Sequence, residues 1–131
     1  MNSAALATTG YGDAQVALHD SRQTEYRAFA EATRRLCAAD AANEDTTGGF
    51  AALAEALHDN LRLWTLLAAD VASDDNELPQ QLRARIFYLA EFTRVHSRKV
   101  LSGDAKVRPL IDINTAIMKG LRAGATDGGA A

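Results

Sequence analysis

A single cysteine, Cys37, leaves the chain unable to close an internal disulfide. Such a chain suits a reducing compartment, and the expected location is the cytoplasm. No apolar run approaches the ~20 residues that span a bilayer, so no membrane insertion is expected. Residues Met1 to Gly12 lack both a basic flank and an apolar core, so no secretion signal is expected either. Only two prolines interrupt 131 residues, and β-branched residues are few, which favours helices over strands. Signatures of enzyme chemistry are missing too: no GxGxxG, no GxxxxGK[ST], no HExxH and no CxxC. The three histidines, His19, His58 and His96, are not spaced as a metal pair on a helix. His58 and Asp59 are adjacent, and neighbours on a helix point ~100° apart, so they do not form an acid–base pair. These absences predict no catalytic residue, no metal, no cofactor and no enzyme.

What is present is helical periodicity. The length suits one domain, here residues 1–131, with enough chain for a core that needs no metal or disulfide. The only tryptophan sits in the densest apolar stretch. Phe50, Leu53, Leu57, Leu61, Trp64, Ala68 and Val71 recur at steps of three or four, one face of a helix from about Gly49 to Ala72. Leu63 and Leu66 point away from that face, so the second half of this helix is apolar nearly all round.

Three more helices flank it. Asp20 and Gln23 fit a capping box for a helix running to about Ala42. Its stripe is Tyr26, Phe29, Ala30, Thr33, Leu36 and Cys37, which reads Cys37 as packing. The next loop ends in Thr46 or Thr47 as a cap. Pro79 suits the first turn of a third helix carrying Leu82, Ile86, Leu89, Thr93, His96 and Val100, with Tyr88, Phe92 and Val95 as a second stripe. His96 reads as a hydrogen-bonded core histidine. Arg94 and Arg98 lie outside both stripes, and Gly103 is the stop signal. Pro109 opens a fourth helix with Leu110, Ile113, Asn114, Ile117 and Leu121 on one face. The fold class is therefore all-α: a single small bundle of four main helices with flexible termini. Residues 1–19 form a loosely ordered lead in which Tyr11 either packs or hangs free, and 124–131 a disordered tail.

The structural core is read as Phe50, Leu57, Leu61, Trp64, Leu82, Ile86, Leu89, Ile113 and Ile117. Leu63, Leu66, Tyr88, Phe92 and Val95 exceed what one face of each helix needs. Either a central Trp64 helix hides them, or they form a groove for an amphipathic helix of a partner. Asn114 interrupts an apolar face, as a buried amide that fixes register or as a polar contact to a partner. Charge is also divided. Residues 1–78 hold 13 acids and 5 bases, residues 79–131 hold 4 acids and 9 bases. The basic half is either solvated helix surface or a face for an acidic partner or RNA.

The order of segments from 57 to 103 and from 109 to 121 carries a resemblance. It rests on Leu61, Leu63-Trp64-Thr65, Ala68-Ala69-Asp70-Val71, the Asn76-x-Leu78-Pro79 turn, the basic third helix and Ile113-Asn114. Over roughly Tyr11 to Leu121 the chain resembles the FlaF family of flagellar biosynthesis regulators. The resemblance implies a non-enzyme needed for flagellin production and filament assembly. It implies flagellin as a partner, bound as a secretion chaperone would bind it, and action opposite to or together with FlbT. The alternative is an RNA-associated regulator of flagellin mRNA translation. DNA binding is not expected.

Overall fold

The computed structural model describes residues 23–43 and 48–130, with side chains up to residue 120. Four helices and no strand occur among them: α1 at 23–43, α2 at Gly49–Ala72, α3 at Gln80–Leu101 and α4 at Arg108–Ala130. The lead, Tyr11, the Asp20 end of the capping box, and Thr46 and Thr47 lie outside the described residues.

The helix ends follow from local chemistry. Gly48, at φ 90, occupies the N-cap of α2, in place of the expected threonine. Only glycine adopts that backbone without strain. Next to it, a side chain on Gly49 would sit 2.6 Å from the carbonyl oxygen of Ala42. The close crossing of α1 and α2 is therefore possible only with glycine there. At the other end of α2, Asn76 accepts from the backbone N–H of Leu78 at 3.0 Å, and its amide donates to Asp70. This turn drops Leu78 onto the core and delivers Pro79 to the N-cap of α3. From α3, Arg83 Nε donates to the carbonyl oxygen of Val71 at 2.9 Å. A cation on the last carbonyls of α2 satisfies groups that the helix leaves open and complements its dipole. Gly103, at φ 81, ends α3, and Asp104 N–H returns to Lys99 O at 2.8 Å while Gly103 N–H returns to Val100 O. These two bonds are the Schellman pattern.

The core consists of two apolar clusters. One joins Leu36 and Ala39 of α1, Leu53 and Leu57 of α2, Val100 of α3, and Leu110 and Ile111 of α4. The other joins Phe29, Trp64, Leu67, Val71, Ile86 and Ile117. The first uses the end of α1, the start of α2, the end of α3 and the start of α4. The second uses the opposite ends. Consecutive helices therefore run antiparallel, as short connections favour. Ile113 packs against both clusters.

Between the clusters lies a polar layer, to which every helix contributes: Thr33, Asn60, Thr93 and Asn114. The last three are completely buried. Asn114 Oδ1 accepts from the indole N–H of Trp64 at 2.8 Å. Its Nδ2 donates to Asn60 Oδ1 at 2.7 Å and to Thr33 Oγ1 at 3.1 Å. The Thr33 hydroxyl in turn donates to the carbonyl oxygen of Phe29, whose ring meets Trp64 edge-on at 5.2 Å. One amide thus ties α4 to both α1 and α2. Sliding any of these helices by a turn would strand several buried polar groups, each costing ~1–3 kcal/mol. The layer sets register. Asn114 belongs to the interior, so its reading as a partner contact is corrected.

Four other expectations change. Phe50 is 56% exposed and is not core, because it lies ~100° round the helix from Gly49, the residue that meets α1, at the margin of the buried face of α2. Leu61 is half-buried and belongs to neither cluster, whereas Leu82, Leu89 and Ile113 are half-buried but pack on the clusters. Cys37 is exposed. Ala32 and Ala39, not Cys37, continue the buried line of Phe29 and Leu36, so that α1 lies close on its neighbours. Helix α4 runs through Gly124 to Ala130, where composition predicted a disordered tail.

Candidate partner interface

With Ile86, Thr93, Ser97 and Val100 turned inward, α3 presents an opposite face at ~100° per residue. That face carries Ala84, Phe87, Tyr88 and Val95, all exposed, with Tyr88 exposed at 69%. Large apolar side chains grouped outside a closed core make this face a candidate contact surface. Bases border them on both sides. Arg98 lies on the edge next to Phe87, and Lys99 and Arg85 on the edge next to Tyr88; all three are exposed. Glu91, on the same face, is held by Arg94 through two hydrogen bonds, the longer 3.0 Å. The Arg94 guanidinium holds the Glu91 carboxyl below its ordinary range, so this acid stays ionised and paired.

The residues expected to form a groove do not converge. Tyr88 and Val95 lie on the outward face of α3. Phe92 is half-buried, packs against the core around Leu57, and stacks on His96 with ring centroids 5.1 Å apart. His96 is half-buried and its Nε2 lies 2.7 Å from the carbonyl oxygen of Lys106. A carbonyl only accepts, so Nε2 carries the proton. The histidine clamps the end of the α3–α4 connection, just before α4, a structural role. Leu63 is half-buried against the Trp64 cluster. Leu66 is 60% exposed but faces away from the core of α2, a different direction from the outward face of α3. Phe87 was missed in the sequence because it falls outside both stripes of α3. Its signal is position: one residue after buried Ile86, at the margin of the face opposite the core.

A concavity of about 450 Å³ lies between α1 and α2. Its floor is alanine, from Ala38, Ala39, Ala42, Ala52 and Ala56, and its rim is Arg34, Arg35, Glu55 and Asp59. Arg35 crosses to Asp59 at 3.4 Å, so Asp59 turns to α1 and not to His58. Arg34 and Arg35 also hold Glu31, and the Arg34 hydrogen bond lowers that carboxyl to about 2. Among the described residues no group of acids, histidines and cysteines could hold a metal ion. No described helix is long and apolar enough to cross a membrane.

Among curated proteins and solved structures nothing matches the chain. The family model described as flagellar protein FlaF does, over residues 7–121. The resemblance read from the Trp64 helix, the Asn76 turn and the Asn114 helix is thereby established, and the chain belongs to the FlaF family of flagellar proteins.

Proposed function

We propose that this flagellar protein binds flagellin in the cytoplasm as a secretion chaperone, and that it promotes flagellin synthesis and filament assembly opposite to or together with FlbT. It works by binding and not by catalysis. The observation that carries this reading is the apolar face of α3, which stays outside a bundle whose two clusters close without it. Subunits awaiting assembly expose apolar surface that aggregates unless covered. A small helical protein with spare apolar area offers such cover through helix-to-helix contact.

The other reading is direct binding of the flagellin transcript, and it draws on Arg85, Arg98 and Lys99. Phe87 and Tyr88 are the exposed rings beside these bases, whereas Phe92 packs on the core and is stacked on His96, so no run of free aromatic faces lines them. Single-stranded RNA is held by successive aromatic platforms, so the surface favours a protein partner. The test is co-purification of the full chain with flagellin, with FlbT and with flagellin mRNA, repeated across a salt series. Capture of flagellin that persists as salt rises supports the proposal. Capture of RNA that collapses with salt, without flagellin, favours the transcript.

A further inference from the structure

We infer that the outward face of α3 docks an amphipathic helix of the partner whose margins are acidic. This deepens the flagellin reading and rests on it. Ala84, Tyr88, Glu91 and Val95 are spaced four, three and four residues apart. That is the spacing of a seam into which a second helix sets its own side chains. Tyr88 and Val95 stand about 10 Å apart along the axis, two turns, so a partner helix would fill the gap with one side chain. Glu91 lies in that gap but is turned aside and neutralised by Arg94.

Charge selects the occupant. From 84 to 99 the helix carries Arg85, Arg94, Arg98 and Lys99 against the single acid Glu91. Arg85, Arg98 and Lys99 have no ion pair among the described residues. They border both edges of the apolar seam. A second copy of this chain would bring the same bases together and be repelled. An apolar helix edged with aspartate or glutamate would meet complementary charge on both sides, strongest around residues 94–99. The bases thus steer and select, and the seam holds.

The test uses the full chain and purified monomeric flagellin. Three proteins are compared: the parent, Tyr88→Ser with Val95→Ser, and Arg98→Glu with Lys99→Glu. All four positions are exposed, and circular dichroism melts check that the variants stay folded. The expected result is binding at least tenfold weaker for the serine pair at every salt concentration. The glutamate pair should bind at least tenfold weaker at low salt, with the deficit shrinking as salt rises. Parent and both variants binding flagellin alike would overturn this inference and leave the proposed function standing. A parent that does not bind flagellin would remove the proposed function and the inference with it. Two other outcomes overturn the inference by naming a different occupant. One is a parent dimer that the serine pair abolishes; the other is flagellin mRNA binding that the glutamate pair abolishes.

Discussion

Replacing Asn114 by leucine keeps the branched shape and heavy-atom count of the side chain, enlarges it somewhat, and removes all its hydrogen bonds. The indole N–H of Trp64 loses its acceptor, at 2.8 Å, in a residue with no solvent access. Asn60 loses the donor to its Oδ1, and its Nδ2 already has no partner among the described residues. The whole Asn60 amide is then stranded. Thr33 keeps its bond to the Phe29 carbonyl. Two buried polar groups orphaned at ~1–3 kcal/mol each give ~2–6 kcal/mol, and new apolar contacts of leucine offset part of it. The expected loss is about 2–5 kcal/mol, a large share of the ~5–15 kcal/mol typical of a domain. Urea unfolding followed by circular dichroism and by the fluorescence of Trp64 measures it. Adding Asn60→Leu removes one of the stranded groups. The double variant should therefore be ~1–3 kcal/mol more stable than the sum of the single effects. A single-variant loss below ~1 kcal/mol, or strict additivity, would refute the polar layer as a coupled unit.

Three other perturbations follow from the same geometry. Gly49→Ala places a Cβ 2.6 Å from backbone atoms of Ala42 and Asn43, so helices α1 and α2 must part; thermal melts should show a loss of ~1–3 kcal/mol. Leu66→Ser changes an exposed residue on α2, so stability should shift by less than ~0.5 kcal/mol and flagellin binding should not change. Glu31 has its folded pKa lowered, first by the Arg34 hydrogen bond, from 4.5 to about 2. Its favourable contribution is therefore fully present above pH 4.5 and lost as pH falls through about 2. An NMR titration should find the Glu31 midpoint near 2, moving up in Arg34→Gln; a midpoint that does not move would contradict that cause.

Much of the fold is legible in apolar spacing. Leu53, Leu57, Trp64 and Val71 are all buried, as their steps of three and four require. The misses have physical sources. On α1 the buried line runs through Ala32 and Ala39, and alanine gives almost no hydropathy contrast, so Cys37 was drawn inside. Phe50 lies three residues before Leu53, a step that suits an apolar stripe, but the buried face is centred on Gly49, Leu53, Asn60 and Trp64, and glycine and asparagine carry no hydropathy signal to show it. Asn60 was the larger omission. It lies three residues after Leu57 and four before Trp64, on the buried stripe, and a polar residue in such a place signals a partner. That partner, Asn114, was flagged as an amide on an apolar face, yet only the structure shows that the two meet. The surface is least legible. Tyr88 and Val95 were recognised as surplus, but helical phase on two separate helices could not show that Leu66 faces elsewhere. Nor could it show that Phe92 packs inward.

The claim on which the account turns is that this FlaF protein holds monomeric flagellin through apolar contact. Titration calorimetry of the purified full chain with monomeric flagellin, at several temperatures and salt concentrations, tests it. Apolar contact predicts saturable binding with a negative heat-capacity change, the mark of buried apolar surface, persisting at high salt. Absence of binding would contradict it, and so would binding that shows no heat-capacity change and vanishes as salt rises.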